Sequence, residues 1–139
     1  MRRREAMALL PAASLVAQPF VGRSLYGVLE QLCERLLPSE PGSPGAREAR
    51  VAWYIDTVLK YAPAATQRAW ADGLGRFGPE VTEAMLARES ADAGSFFETV
   101  FKPLAVEAYC LSREGQMGMG YRGNRALGGF AGCTHEAHG

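Results

Sequence analysis

Apolar residues recur at spacings of three and four along most of the chain, and no alternating β-branched run is long enough to suggest a sheet. The pattern predicts an all-α protein, a small bundle of about five helices. A first helix is capped by Ser24 and runs to about Leu37, where Pro38 stops it. Leu25, Val28, Leu29, Leu32 and Leu36 make its apolar stripe, and Cys33 beside them reads as a small buried residue. Ser39 to Gly45, rich in Pro and Gly, is a loop. Ser43 and Pro44 then resemble an N-cap and first helical residue, predicting a second helix from Pro44 to about Tyr61. Its stripe is Val51, Tyr54, Ile55, Val58 and Leu59.

Pro63 opens a third helix carrying Trp70, Leu74 and Phe77. Gly73 and Gly75 weaken that helix but allow a neighbour to come close. Gly78-Pro79 starts a short fourth helix to about Arg88, with Val81 and Met85 inward. Glu80 and Glu83 fall in its first turn, where they stabilise the positive end of the helix. The fifth helix is the longest, from about Gly94 to Ser112. Phe97, Phe101, Leu104, Ala108 and Leu111 form its stripe, Cys110 reads as core, and Glu98 with Lys102 forms an i, i+4 pair. Pro103 lies inside it and predicts a kink, since it removes a donor and crowds the preceding turn.

The two ends depart from this pattern. A basic cluster at Arg2-Arg3-Arg4 precedes an uncharged, mostly apolar run from Ala6 to Ala17, the layout of a signal segment. That run is too short to span a bilayer, which takes about 20 apolar residues. Arg3 and Arg4, followed by Met7, resemble a twin-arginine signal, the kind that exports folded proteins, the alternative being a basic cap on an ordinary amphipathic N-terminal helix. The chain therefore divides into a signal segment at 1–17, a helical domain at 18–115 and a glycine-rich arm at 116–139. The arm keeps Met117, Met119, Tyr121, Leu127 and Phe130, apolar anchors of the kind a docking segment carries. A tail folded back on its own bundle reads equally well.

Charge and chemistry narrow the function. Fifteen basic and fifteen acidic side chains give a formal charge of zero, which offers no basic surface for nucleic acid. Cys33, Cys110 and Cys133 form no CxxC pair. The only histidines, His135 and His138, sit at the chain end, a poor platform for a catalytic constellation. Cys133, His135 and His138 together offer a weak metal-ligand set, the basis of an alternative reading as a free-standing helical metal-binding or interaction protein. Gly115 to Gly120 lacks the Gly-Lys-Ser/Thr ending of a phosphate loop, and no cofactor site is expected in this chain.

Two stretches carry a family resemblance. The first is Leu32-Cys33-Glu34-Arg35-Leu36-Leu37-Pro38, continuing through Gly42 to Val51 into Tyr54-Ile55-Asp56. The second is Phe96-Phe97, then Gly120-Tyr121-Arg122-Gly123-Asn124-Arg125 and Gly129-Phe130-Ala131-Gly132. In this order they resemble the gluconate 2-dehydrogenase subunit 3 family, the small gamma subunit of membrane-associated FAD-dependent dehydrogenases. The last segment is a shortened form of the family's ending, without its tryptophan and proline. The resemblance implies a non-catalytic export escort for a large flavoprotein of the glucose-methanol-choline type that oxidises a sugar or sugar acid. It implies FAD in that partner and allows a cytochrome c subunit with haem c beside it. It places this chain in the periplasm, attached to the inner membrane only through the complex or an uncleaved signal. Tyr121, Gly123, Asn124, Arg125 and Phe130 would be the partner-binding residues, and Cys133 is available for an intersubunit disulfide in an oxidising compartment.

Overall fold

The computed structural model describes residues 18–124. Among them the chain is helical: α1 (Arg23–Leu36), α2 (Val51–Lys60), α3 (Ala64–Gly75), α4 (Glu83–Ala91), α5 (Lys102–Leu111) and α6 (Arg113–Gly118), with a π-helical turn at Phe97–Phe101 leading into α5. No strand occurs among the described residues, whose one β-like feature is an isolated bridge between Glu40 and Ser43. None of the described helices is long and apolar enough to cross a membrane.

Element starts differ from the sequence expectation for local reasons. Ser24 lies inside α1, because Gly22, at φ 84°, turns the chain two residues earlier and Tyr26 N–H reaches Gly22 C=O at 2.9 Å. Pro44 does not open α2. The chain instead forms a knot of turns in which Glu48 accepts from Gly45 N–H at 2.9 Å and from the Ser39 hydroxyl at 2.6 Å. Arg50 then sits in the left-handed region, at φ 54° and ψ 39°, which breaks any helical ladder before Val51. Likewise α4 starts at Glu83, capped by Thr82, whose hydroxyl accepts from Met85 N–H at 3.3 Å. Pro79 to Val81 is held in non-helical form by one side chain of α1. Gln31 donates to Pro79 C=O at 3.0 Å and accepts from Val81 N–H at 2.9 Å.

The expected long fifth helix is present as a continuous run from Phe96 to Leu111, with a π-helical turn near its start. At its start, Lys102 N–H reaches back five residues to Phe97 C=O, the mark of a π turn. Pro103 thereby falls in the first turn of α5, where a missing N–H is tolerated. At its end, Ser112 is extended and caps α6 by accepting from Gly115 N–H at 2.9 Å. The first residues of the glycine-rich stretch are therefore helical. The Glu98–Lys102 pair forms at 3.1 Å.

The core joins all the larger elements. Leu29 and Leu32 of α1, Ile55 and Leu59 of α2, Leu74 of α3 and Phe101 are fully buried. Trp70 presents an edge to Phe96, with ring centres 5.3 Å apart at 87°, and Phe97 stacks on Phe101 at 5.4 Å. Gly73 makes this possible. A Cβ there would collide with the Phe96 ring, so the close approach expected from the glycine is real, whereas Gly75 faces open space. Three stripe assignments need correction. Val58 is 37% and Leu111 59% exposed, and Cys110 is only partly buried, whereas Cys33 is in the core. Leu111 loses its place because the chain turns at Ser112 to begin α6.

Candidate docking surfaces

Two clefts on the described surface bring exposed aromatic, apolar and arginine side chains together. The first lies between α1 and α2. Tyr26, Glu30, Cys33 and Glu34 share one face of α1, at the spacing that aligns side chains along a helix. Opposite them stand Ala46, Arg47, Arg50, Ala52 and Trp53, enclosing a cleft of about 210 Å³. Arg47 pairs with Glu34 at 3.2 Å. The left-handed turn at Arg50 starts α2 so that its guanidinium lies 4.5 Å from the centre of the Trp53 ring. Trp53 stays 49% exposed beneath it. The face is tied to the beginning of the described chain by Asp56, whose carboxylate accepts from the Phe20 and Val21 N–H groups, each at 2.9 Å.

Electrostatics limit what this cleft does. Burial pushes the Cys33 thiol far up, with Glu34 and Glu30 adding to it, so it stays protonated and is a poor nucleophile. Burial also raises the Tyr26 phenol, reinforced by Glu30 and Asp56. An uncharged phenol, an exposed indole and a stacked guanidinium make a recognition surface of the residue types that dominate protein interfaces.

The second surface is the end of α6. Met119 N–H bonds Gly115 C=O, Gly120 N–H bonds Met117 C=O, and Tyr121 N–H bonds Gln116 C=O at 2.9 Å. With Gly120 at φ 88°, this is a Schellman termination, which a side chain at that position would strain. It folds Tyr121 and Arg122 back beside Arg113, Gln116 and Met117, leaving a cleft of about 350 Å³. Leu111, Met117, Met119 and Tyr121 are all exposed here. The Tyr109 hydroxyl anchors the region by donating to Pro44 C=O at 2.6 Å.

Of the residues the sequence put forward, Tyr121, Gly123 and Asn124 are together in this second surface. The Tyr121 hydroxyl donates to Asn124 Oδ1 at 2.6 Å, and Gly123 turns the chain at φ 94°. Arg3, Arg4, Arg125, Phe130, Cys133, His135 and His138 lie outside the described residues. No group of three or more His, Cys, Asp or Glu side chains within reach of one metal ion occurs among the described residues. Sequence reasoning missed the first surface. The signal was present, since Trp53 falls off the apolar stripe of α2 and has an arginine three residues before it.

Comparison with known proteins covers part of this architecture. No curated protein and no solved structure matches the chain. Residues 26–87 match a family model, running from α1 into α4. They include every residue lining the Arg50–Trp53 cleft and stop before α5 and the α6 surface. Over residues 26–87, the match supports the family that the sequence resembles, gluconate 2-dehydrogenase subunit 3.

Proposed function

We propose that this chain is a non-catalytic small subunit that docks on a large FAD-dependent dehydrogenase of the glucose-methanol-choline type and escorts it to the periplasm. The observation that carries the reading is the match of residues 26–87 to gluconate 2-dehydrogenase subunit 3, a family of small subunits of a dehydrogenase complex. Arg3 and Arg4 supply the twin-arginine signal, and the cofactor-loaded partner crosses already folded. FAD resides in the partner, haem c in a third subunit where one is present, and the oxidised compound is a sugar or sugar acid. Two exposed clusters with interface chemistry, Arg50–Trp53 and Met117–Tyr121, suit a subunit held by a partner better than a free-standing one.

The test is to tag the full chain at its C-terminus, recover it from the periplasm of its native host and record the absorption spectrum of the eluate. Flavin bands accompanied by a much larger polypeptide are the expected result. A small, colourless chain eluting alone overturns the reading.

A further inference from the structure

The α6 cleft differs from the Arg50–Trp53 cleft in charge. The latter balances Arg47 and Arg50 against Glu30 and Glu34. The α6 cleft is lined by Arg113, Gln116, Met117, Tyr121, Arg122 and Gly123, two guanidiniums with no carboxylate among them. This is a local excess in a chain whose formal charge is zero. Neither arginine has an ion-pair partner among the described residues.

The guanidinium of Arg122 is also oriented in advance. One nitrogen, Nη1, donates to Met117 C=O at 2.9 Å, closing the carbonyl end of α6. Its other nitrogens make no hydrogen bond among the described residues. A planar fork fixed at one corner is suited to a carboxylate, which takes two parallel N–H donors. Met117 and Tyr121, both exposed beside it, offer apolar surface for whatever carries that carboxylate.

Resting on the function proposed above, we infer that the α6 cleft receives an acidic segment of the large flavoprotein, an Asp or Glu flanked by an apolar side chain. Arg113 and Arg122 take the carboxylate, and Met117 and Tyr121 take its apolar neighbour. Charge supplies the selectivity and the apolar wall slows release.

The experiment uses the full chain and the flavoprotein recovered with it. Retention is compared for wild type, Arg113→Glu/Arg122→Glu, the milder Arg113→Gln/Arg122→Gln, and Arg68→Glu at an exposed position of α3 as a charge control. Circular dichroism checks that helicity is unchanged. The expected result is at least about tenfold weaker retention for the double reversal, a smaller loss for the glutamine pair and none for Arg68→Glu. Wild-type retention should weaken with salt, and that dependence should flatten in the double variants. Wild type that retains the flavoprotein while the double reversal retains it equally overturns this inference and leaves the parent reading intact, whatever else covers the cleft. Wild type that retains no flavoprotein overturns both.

Discussion

The two tryptophans of this chain occupy opposite environments. Trp70 is 3% exposed, with its edge on Phe96 and its ring 6.3 Å from Phe101. Trp53 is half exposed on α2, with the Arg50 guanidinium over its ring. The first is held by shape, since Gly73 must lack a side chain for Phe96 to reach its place. The second is held by a strained backbone, a left-handed arginine that places its guanidinium above the indole. Conformations of this sort cost of order 1–3 kcal/mol and persist where the surrounding structure enforces them. One aromatic thus builds the fold, while the other is displayed by it.

The difference is open to direct attack. Phe101→Ala removes the ring that Trp70 and Phe97 pack on and should cost about 3–5 kcal/mol, read from the denaturant midpoint. Gly73→Val forces a branched side chain into the Phe96 ring and should cost about 1–3 kcal/mol by the same measurement. Trp53→Ala should shift the midpoint by no more than about 0.5 kcal/mol, as surface changes do. Because the chain has two tryptophans, iodide should quench Trp53 emission and spare a blue-shifted Trp70 component. Equal quenching of both would sink the contrast.

The smallest effect lies in the turn knot before Arg50. The Ser39 hydroxyl and the Gly45 N–H hold the Glu48 carboxyl below its usual range. A carboxyl lowered by folding stabilises above its unfolded value, and that contribution is lost as pH falls through the folded one. Ser39→Ala should raise the Glu48 titration, followed by NMR, with a small loss of stability at neutral pH that disappears in acid.

Periodicity recovered the helices and most of the interior, because burying a stripe is the requirement that writes it into sequence. Leu29, Leu32, Ile55, Leu74 and Phe101 are buried as their spacing predicts. What escaped was set by single hydrogen bonds and backbone choices. Pro44 looked like a helix start, but Glu48 and Ser39 close a tighter loop around Gly45. The Gly-rich stretch after Gly115 looked like coil, yet Ser112 and Gly120 bracket a capped helix. For the candidate surfaces, Tyr121 and Asn124, put forward from the sequence, lie together in the α6 surface. Trp53 off the apolar stripe with an arginine three residues before it was a readable signal, but the stacking of the pair was not, because a left-handed arginine has no signature in apolar spacing.

The π turn at Phe97–Phe101 has a consequence for the whole C-terminal quarter of the described chain. Each residue of an α-helix advances the azimuth by about 100°. A π turn holds roughly one extra residue, so it acts as a phase offset in the fifth helix. Everything downstream takes its bearing from it: the inward Ala105 and Ala108, the Tyr109 hydroxyl bound to Pro44, and the direction in which α6 leaves. Removing one residue between 97 and 101 would restore a regular helix and rotate that entire assembly by about a quarter turn. The composition of the α6 cleft would be unchanged, but the cleft would face another way.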